Sequence, residues 1–443
     1  MPLPVSSSSA VLRRLLGLGF GLAVAVGGTA GTGVLTSPGE LARALGGPGP
    51  VLALWVVGGL YTLLAANTLA ELAGRLPQAG GWYGYAEAAF GEFPAVAVAW
   101  ADWTSSCVTG ALVALLLGQY LVQLLPGLPG GPRLVACAVT LGLGALQYRG
   151  MREGSRAQEL TAAVLLLGVV GLLLACAWLP AAEPVAAEGA TASVALTVTS
   201  LVAALQVVVF AYDGWYGPIY FAEETPQPGR TLSRALLGGV VAVLALYFVL
   251  NAGLLRLLPF ATVQASELPL AEMAAELLGP TGRQAVLALG VVALLGVLNS
   301  VLLMATRVLF ALGRAGQLPA VLGQVHANGT PRPGLAVAVV LTIGLALSGS
   351  VESLEAVTSI LFVGYYVVGF AALLVLRRQS APPPGSYRAW GHPWSTGLLV
   401  GLSVAFLVLN VAADTAHAAV AVALVAGAWP LWRRTQIRKK RHS

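Results

Sequence analysis

Charged side chains are scarce in this sequence. Only 9% of the 443 residues are Asp, Glu, Lys or Arg, whereas 57% are hydrophobic. A soluble domain usually carries about 25% charged residues, so the composition excludes an ordinary soluble protein. The mean hydropathy of +0.83 indicates an integral membrane protein.

Cysteine, histidine and lysine are also rare. The three cysteines stand singly in apolar runs without CxxC spacing, which excludes a disulfide framework and suggests no metal site. The four histidines, His326, His392, His417 and His442, lie outside the predicted core of the bundle, and no GxSxG motif or His/Cys/Asp ligand set is present. We therefore expect neither an enzyme nor a cofactor. Both lysines, Lys439 and Lys440, belong to the C-terminal tail.

Long apolar runs, by contrast, recur from end to end. About 20 apolar residues in a helix cross a hydrocarbon core of about 30 Å, and no run alternates as a barrel strand does. The sequence predicts an all-α integral membrane protein, residues 1–443 forming a single transmembrane domain with twelve transmembrane helices. The predicted spans are 14–44 (interrupted), 51–73, 96–125, 134–149, 159–180, 196–224 (interrupted), 234–256, 284–312, 334–349, 355–377, 395–411 and 415–433.

The basic residues orient these spans. If the amino terminus is cytoplasmic, only four of the 24 Lys and Arg residues fall outside, which leaves 20 inside (24 − 4 = 20). This bias follows the positive-inside rule and places both termini in the cytoplasm. The net charge of +6 thus serves topology and contact with membrane lipids rather than nucleic acid. The four outside residues are Arg43, Arg133, Arg256 and Arg283.

Two of the spans are interrupted by glycine and proline. The first breaks within "GTAGTGVLTSPG" (28–39), and the sixth breaks within "FAYDGWYGP" (210–218). Interrupted spans that open each half of a chain are typical of inverted-repeat transporters, with the substrate site at the two breaks. We predict one repeat over 11–180, a second over 196–377, and two further helices over 394–434.

The breaks suggest what binds there. Irregular backbone is tolerated inside a membrane where it lines a cavity, and its polar groups are then available to a ligand. The second half-helix of span one begins near Val34, and its amino end favours a carboxylate; carbonyls at the breaks would accept from an ammonium. The ligand predicted is an α-amino acid, unless the glycines form only a helix-packing face. The predicted binding residues are Val26, Gly27, Gly31, Thr32, Gly33, Val34, Phe210, Ala211, Asp213, Gly214 and Trp215.

Five segments in order resemble one known family. They begin with "GTGVLTSPG" and "LPQAGGWYGYAEAAFGEF" (76–93), followed by "FAYDGWYGPIYFAEETPQPGRTLSRAL" (210–236). The last two are "RVLFALGRAGQLPAVLGQVHANGTPRPG" (307–334) and "YRAWGHPW" (387–394). These are similar to segments of the amino acid/polyamine/organocation transporters, especially the L-type branch and its bacterial relatives. The resemblance implies a LeuT-like fold of five-plus-five inverted repeats with helices 1 and 6 broken, and alternating-access transport of amino acids or related amines.

Departures from that family limit what is carried over. Some proton-coupled relatives have a lysine in helix five, where Leu165 or Leu166 falls here, so that device is absent. Relatives that pair with a glycoprotein heavy chain have a cysteine in the loop after helix three, whereas "PGLPGGP" (126–132) has none. We expect no disulfide-linked heavy chain.

Other polar residues within the spans are candidates for coupling. Asp213 either carries a coupling proton, offers a counter-charge to an amine, or caps the broken helix. Asp102 is a second intramembrane carboxyl, functional by default unless it lies near cytoplasmic water. Asn299 and Ser300 offer oxygen ligands opposite the first break, or form an interhelical contact. Glu223 and Glu224 are expected to cluster with Arg230 and Arg234 as a charged gate or a solvated face.

The sequence favours a secondary active transporter that moves amino acids by uptake or exchange across the bacterial inner (plasma) membrane. A carrier of polyamines or cationic amino acids is the alternative within transport, favoured by Asp213 and Asp102. A sensor that binds an amino acid without transporting it is the alternative of another class.

Overall fold

The computed structural model describes residues 12, 14–31, 33, 36–178 and 197–442. Within these ranges every regular element is a helix. The first half contains α1 (Leu18–Thr29), α2 (Ser37–Leu45), α3 (Pro48–Arg75), α4 (Trp82–Phe90), α5 (Glu92–Leu124), α6 (Gly131–Arg149) and α7 (Met151–Trp178).

The second half repeats this pattern of long helices. It contains α8 (Val198–Ala211), a short 3₁₀ helix (Gly217–Glu224), α9 (Pro228–Leu257), α10 (Phe260–Ala265), α11 (Pro269–Leu278), α12 (Pro280–Arg314), a 3₁₀ turn (Ala320–Gly323), α13 (Arg332–Ser348) and α14 (Val351–Gln379). The remaining helices are α15 (Trp394–Ala413), α16 (Thr415–Ala426) and α17 (Ala428–His442).

The predicted spans overlap these helices, although α7 begins eight residues before the predicted 159 (159 − 151 = 8) and α9 six before the predicted 234 (234 − 228 = 6). Residues 32, 34, 35, 179, 180 and 196 of the predicted spans lie outside the described residues. Eight segments of the described chain are long and apolar enough to cross a membrane. The four other predicted spans correspond to the interrupted pairs α1–α2 and α8–3₁₀ and to the shorter helices α6 and α13. Helices one and six are broken where the sequence predicted. The boundaries of the inverted repeats remain a prediction.

The sequence explains where the half-helix α2 begins and ends. Pro38 occupies its first turn, where its missing N–H costs nothing. Gly46 follows its last residue with a left-handed φ of 65°, a conformation that glycine adopts without strain.

α12 lies at the centre of the bundle. It is the most buried of the long apolar helices, and it packs against α1, α5, α7 and α13. From the two interrupted spans, α1 and the 3₁₀ helix both pack against α12, and α8 packs against α2 and α3.

A buried carboxylate joins three distant segments at one end of the bundle. Glu71 of α3 accepts hydrogen bonds from Arg75 at 2.9 Å and from Arg377 of α14 at 2.8 Å. It also accepts from the backbone N–H of Ala389, in the loop before α15, at 2.7 Å. Glu71 can be fully buried because these donors compensate its negative charge.

Candidate functional site

The two helix breaks contact each other through glycine. Gly214 has a φ of 97°, and a Cβ atom there would lie 2.4 Å from the carbonyl oxygen of Gly28. A Cβ atom on Gly33 would lie 2.5 Å from that of Ala211 and 2.7 Å from its Cα. Side chains at Gly214 and Gly33 would therefore push the two breaks apart. Glycine at these positions therefore lets the two breaks pack closely, in addition to allowing an irregular backbone.

One hydroxyl group lies between both breaks. Tyr247 of α9 is fully buried, and its hydroxyl is 2.7 Å from the carbonyl oxygen of Ala211 and 3.1 Å from that of Thr29. Its ring is held edge-on by Trp55, at 4.9 Å, and by Tyr212, at 5.0 Å. Sequence reasoning missed this residue, because a tyrosine in an apolar span is usually a packing residue.

A narrow cavity lies where the breaks meet. Its volume is about 40 Å³, room for about three water molecules but not for an amino acid. An α-amino acid would fit only in a more open arrangement of these walls. The lining residues are Gly28, Thr29, Gly31, Gly33, Ser105, Ser106, Thr109, Val113, Phe210, Ala211, Asp213, Gly214, Tyr216, Val297, Val301 and Met304.

Six of the eleven predicted binding residues line this cavity, namely Gly31, Gly33, Phe210, Ala211, Asp213 and Gly214. Thr32 and Val34 lie outside the described residues. Trp215 is buried against the rings of Tyr216 and Tyr366 instead of lining the cavity. Gly27 faces Gln158 and Ala162 of α7, and Val26 is likewise absent from the lining.

Three of the carbonyl oxygens at the breaks, those of Val26, Phe210 and Ala211, already accept hydrogen bonds within the protein. The oxygen of Val26 accepts from the N–H of Ala30 at 2.8 Å, and that of Phe210 accepts from Asp213 at 3.0 Å. The oxygen of Ala211 accepts from Tyr247. A carbonyl has a second lone pair, but the carboxyl group in the described lining is that of Asp213.

Asp213 is held by an aromatic cluster. The hydroxyl of Tyr366 in α14 donates to its Oδ1 at 2.5 Å. Tyr366 packs against Tyr216, whose hydroxyl lies 2.8 Å from that of Tyr365. Asp213 is itself partly exposed, toward the cavity. Its carboxyl group is thus positioned by α14 and accessible to a ligand.

Asp102 occupies a different environment. It is fully buried in α5, does not line the cavity, and accepts one hydrogen bond, from Tyr220 at 2.7 Å. Its Oδ2 has no hydrogen-bond partner among the described residues. Tyr220 of the 3₁₀ helix covers Asp102 and shields it from solvent, and its role in coupling stays a prediction.

Asn299 and Ser300 are neighbours in the sequence but have different surroundings. The amide of Asn299 donates to the oxygens of Gly154, at 3.1 Å, and Gln158, at 2.9 Å, and accepts from Gln147 at 2.9 Å. These bonds connect α12 to α6 and α7, which supports the interhelical interpretation. Ser300 Oγ faces the first break, 3.1 Å from a Cβ built on Gly28, and has no described partner.

The sequence interpretation missed a row of hydroxyls on α5. Ser105, Ser106 and Thr109 all line the cavity. Ser105 and Thr109 also approach the hydroxyl of Thr358 in α14, at 3.4 and 2.9 Å. The signal was available, because "TSSCVT" (104–109) is the longest hydroxyl-rich run in an otherwise apolar span.

The cavity is closed on the side of the 3₁₀ helix by charged pairs. Glu224 pairs with Arg307 of α12 at 3.0 Å, and both side chains are buried. Glu223 pairs with Arg314 at 2.5 Å. The prediction that Arg230 and Arg234 pair with these two glutamates is wrong. Both arginines are exposed, and the guanidinium groups come from Arg307 and Arg314 of α12.

Hydrogen bonds also hold α2, the helix that follows the first break. Arg43 donates to the carbonyl oxygens of Gln264 and Ser266, at 3.0 and 3.2 Å. In return, the Gln264 amide donates to the oxygen of Ala42 at 3.0 Å. These bonds join α2 to the α10 segment. Ion pairs and hydrogen bonds therefore hold in place the segments that follow each of the two breaks.

Known proteins resemble the chain along its whole length. It is 26% identical over 439 residues to the serine/threonine exchanger SteT of Bacillus subtilis, covering 97% of this chain and 98% of that protein. It is 27% identical to the branched-chain amino acid permease BcaP of the same species, with coverage of 91% and 90%. It is 26% identical to the human b(0,+)-type amino acid transporter 1, with coverage of 84% and 78%.

A family description agrees with these relatives and with the geometry. The amino acid permease family matches residues 19–428, a range that contains both breaks, the Asp213 site and the two closing clusters. This protein, with its two broken helices meeting at a small polar cavity, belongs to the amino acid permease family.

Proposed function

We propose that the protein is a secondary transporter of α-amino acids that works by alternating access in the plasma membrane. One observation carries this proposal: the two helix breaks meet at a closed cavity whose walls contain glycine backbone, hydroxyl groups and one carboxyl group, Asp213. Glycine backbone at Gly31 and Gly33, in the break before α2, suits a carboxylate, and Asp213 suits an ammonium. The names of the relatives, an exchanger among them, support exchange as the mode.

The direct test is counterflow in proteoliposomes, with a panel of labelled amino acids and polyamines. Accumulation of one or more amino acids against an internal pool is the expected result. Binding without counterflow would favour the sensor, and accumulation of polyamines alone would favour the amine carrier. Among the described residues one carboxyl group faces the cavity, which gives no particular support to a carrier of polyamines, and no observation favours the sensor.

Gly31 is the best position at which to test the site itself. A Cβ there would lie 2.9 Å from Cγ2 of Val297, a side chain that can shift, whereas a Cβ at Gly33 meets backbone. Gly31→Leu should fill the cavity and abolish counterflow while the protein still inserts. Gly142→Leu is the matched control, because nothing lies within 4 Å of a Cβ on Gly142. Normal counterflow in Gly31→Leu would place the substrate elsewhere.

Asp213 has two functional roles to be distinguished. If it carries a coupling proton, Asp213→Asn should keep exchange of neutral amino acids and lose the pH dependence of uptake. If it is a counter-charge for an amine, the same variant should lose affinity for cationic substrates and keep its pH response. Unchanged affinity, selectivity and pH profile would leave the structural role, in which Asp213 anchors Tyr366.

The proposal includes an orientation with both termini in the cytoplasm and no disulfide-linked partner. Cysteines introduced at Glu272 should react with an impermeant reagent from outside, and those at Arg152, Arg234 and Arg332 should not. The opposite labelling at two of these positions would overturn the orientation. Cys137, which is partly exposed, should be replaced by serine beforehand.

A further inference from the structure

A large apolar groove lies on the outer face of the bundle, away from the substrate cavity. Its volume is about 540 Å³, and it is formed by α5, α14, α15, α16 and the first turn of α17. The floor is made of small residues, Ala97, Ala101 and Gly364, and nothing lies within 4 Å of a Cβ built on Gly364. The helices on either side are membrane-spanning segments, so the groove opens toward lipid acyl chains.

Basic and aromatic residues lie at one end of this groove. Trp429, which lines it, packs edge-on against Phe93 at 5.4 Å, and Trp432 does so at 5.2 Å. Indole rings are enriched at the level of lipid headgroups. One turn later on α17 come Arg433 and Arg434, both exposed, and neither makes an ion pair with a described residue. Arginine suits phosphate because its guanidinium donates two parallel hydrogen bonds.

Glu92, next to the lining residue Phe93 on α5, is an acidic residue at this end that is already engaged. Glu92 accepts a hydrogen bond from Gln436 of α17 at 2.7 Å and another from Gln317. It fixes α17 against α5, and it leaves the two arginines without a described carboxylate partner. An apolar groove that ends in two unpaired arginines has the charge pattern of an anionic phospholipid.

The groove also contacts the wall of the substrate cavity. Tyr365 lines the groove with its ring, and its hydroxyl lies 2.8 Å from that of Tyr216. Tyr216 in turn lines the cavity. An acyl chain in the groove would pack against Tyr365 and limit its movement, and with it the movement of Tyr216.

We propose that this groove binds one anionic phospholipid, with an acyl chain along Ala97, Ala101 and Gly364 and the phosphate on Arg433 and Arg434. The bound lipid packs against Tyr365 and so restrains the Tyr216–Tyr365 pair at the cavity wall.

Native mass spectrometry of the full-length protein in detergent tests the binding. With phosphatidylglycerol and phosphatidylcholine added in equal amounts, we expect one phosphatidylglycerol retained in preference. Each basic residue near an anionic lipid contributes about fivefold in affinity, so Arg433→Gln with Arg434→Gln should weaken retention about 25-fold. Gly364→Leu should abolish it by filling the floor. The controls are Arg230→Gln with Arg234→Gln, which removes two exposed arginines elsewhere, and Gly142→Leu.

Three results would overturn the proposal. Equal retention of the two lipids would remove the headgroup preference, and unchanged retention in Gly364→Leu would place the lipid on another surface. A dimer in light scattering that Gly364→Leu dissociates would make the groove an interface between two copies of the chain. Because the readout is bound lipid, failure of the transport assay does not affect it.

Discussion

The hydroxyl of Tyr247 is the best place to perturb the contact between the two breaks. Tyr247→Phe removes a single oxygen atom and keeps the ring between Trp55 and Tyr212. The oxygen of Thr29 retains a hydrogen bond from the N–H of Gly31 at 2.8 Å. The oxygen of Ala211 loses the only hydrogen bond that the described residues give it.

The size of the effect follows from that difference. A buried carbonyl left without a partner costs about 1–3 kcal/mol. If this cost applies only while the breaks are in contact, the population of the closed form falls about 5- to 150-fold relative to the open forms. We expect the melting temperature to fall and the conformational equilibrium to move toward open forms.

Two measurements together test this reasoning. Thermal unfolding in detergent reports the stability, and the rate at which a cysteine reagent labels a cysteine placed at Thr109, on the cavity wall, reports opening. Tyr61→Phe is the matched control, because it removes a half-buried hydroxyl that lies 2.8 Å from that of Ser403 and leaves the bonds of Tyr247 to both breaks in place. Both variants should lose stability, and only Tyr247→Phe should speed labelling of the cavity. Equal labelling rates in the two variants would refute the idea that this hydroxyl joins the breaks.

Three further outcomes follow from the site. Gly214→Ala should lower the melting temperature and abolish transport, because the new methyl group meets the oxygen of Gly28; a variant with normal transport would contradict the contact between breaks. Glu224→Gln should cost about 3–5 kcal/mol of stability, since it leaves Arg307 buried without its partner. Glu272→Gln, which breaks an exposed pair with Arg283, should cost about 0–1 kcal/mol, and similar losses for the two substitutions would refute the burial argument.

The sequence was most informative where a local rule was broken. Glycine and proline inside an apolar span have few explanations, so the breaks near Gly28–Gly33 and at Asp213–Pro218 could be located from the sequence alone. Apolar run length located the spans for the same reason: it reflects the thickness of the membrane and needs no tertiary information.

The rest of the site depends on which helix lies beside which. Tyr247 is one tyrosine among 12, and only the packing of α9 against both breaks gives it a role. Glu224 could pair with any nearby arginine on sequence grounds, and the neighbours in the chain, Arg230 and Arg234, were the natural choice. The actual partner, Arg307, is 83 positions away. Which residues pair depends on the tertiary arrangement of the helices, and this could not be deduced from the single sequence.

The buried Glu71 bears on how the molecule moves. It ties α3, from the first predicted repeat, to Arg377 of α14, from the second, and to the loop that leads into α15. Sliding these three segments past one another would leave the buried Glu71 carboxylate without its partners, which is costly. This end of the bundle is therefore a pivot, and displacement during transport should grow with distance from it. The last helices, α15 and α16, should then stay still with the pivot while the half-helices α1 and α2 swing.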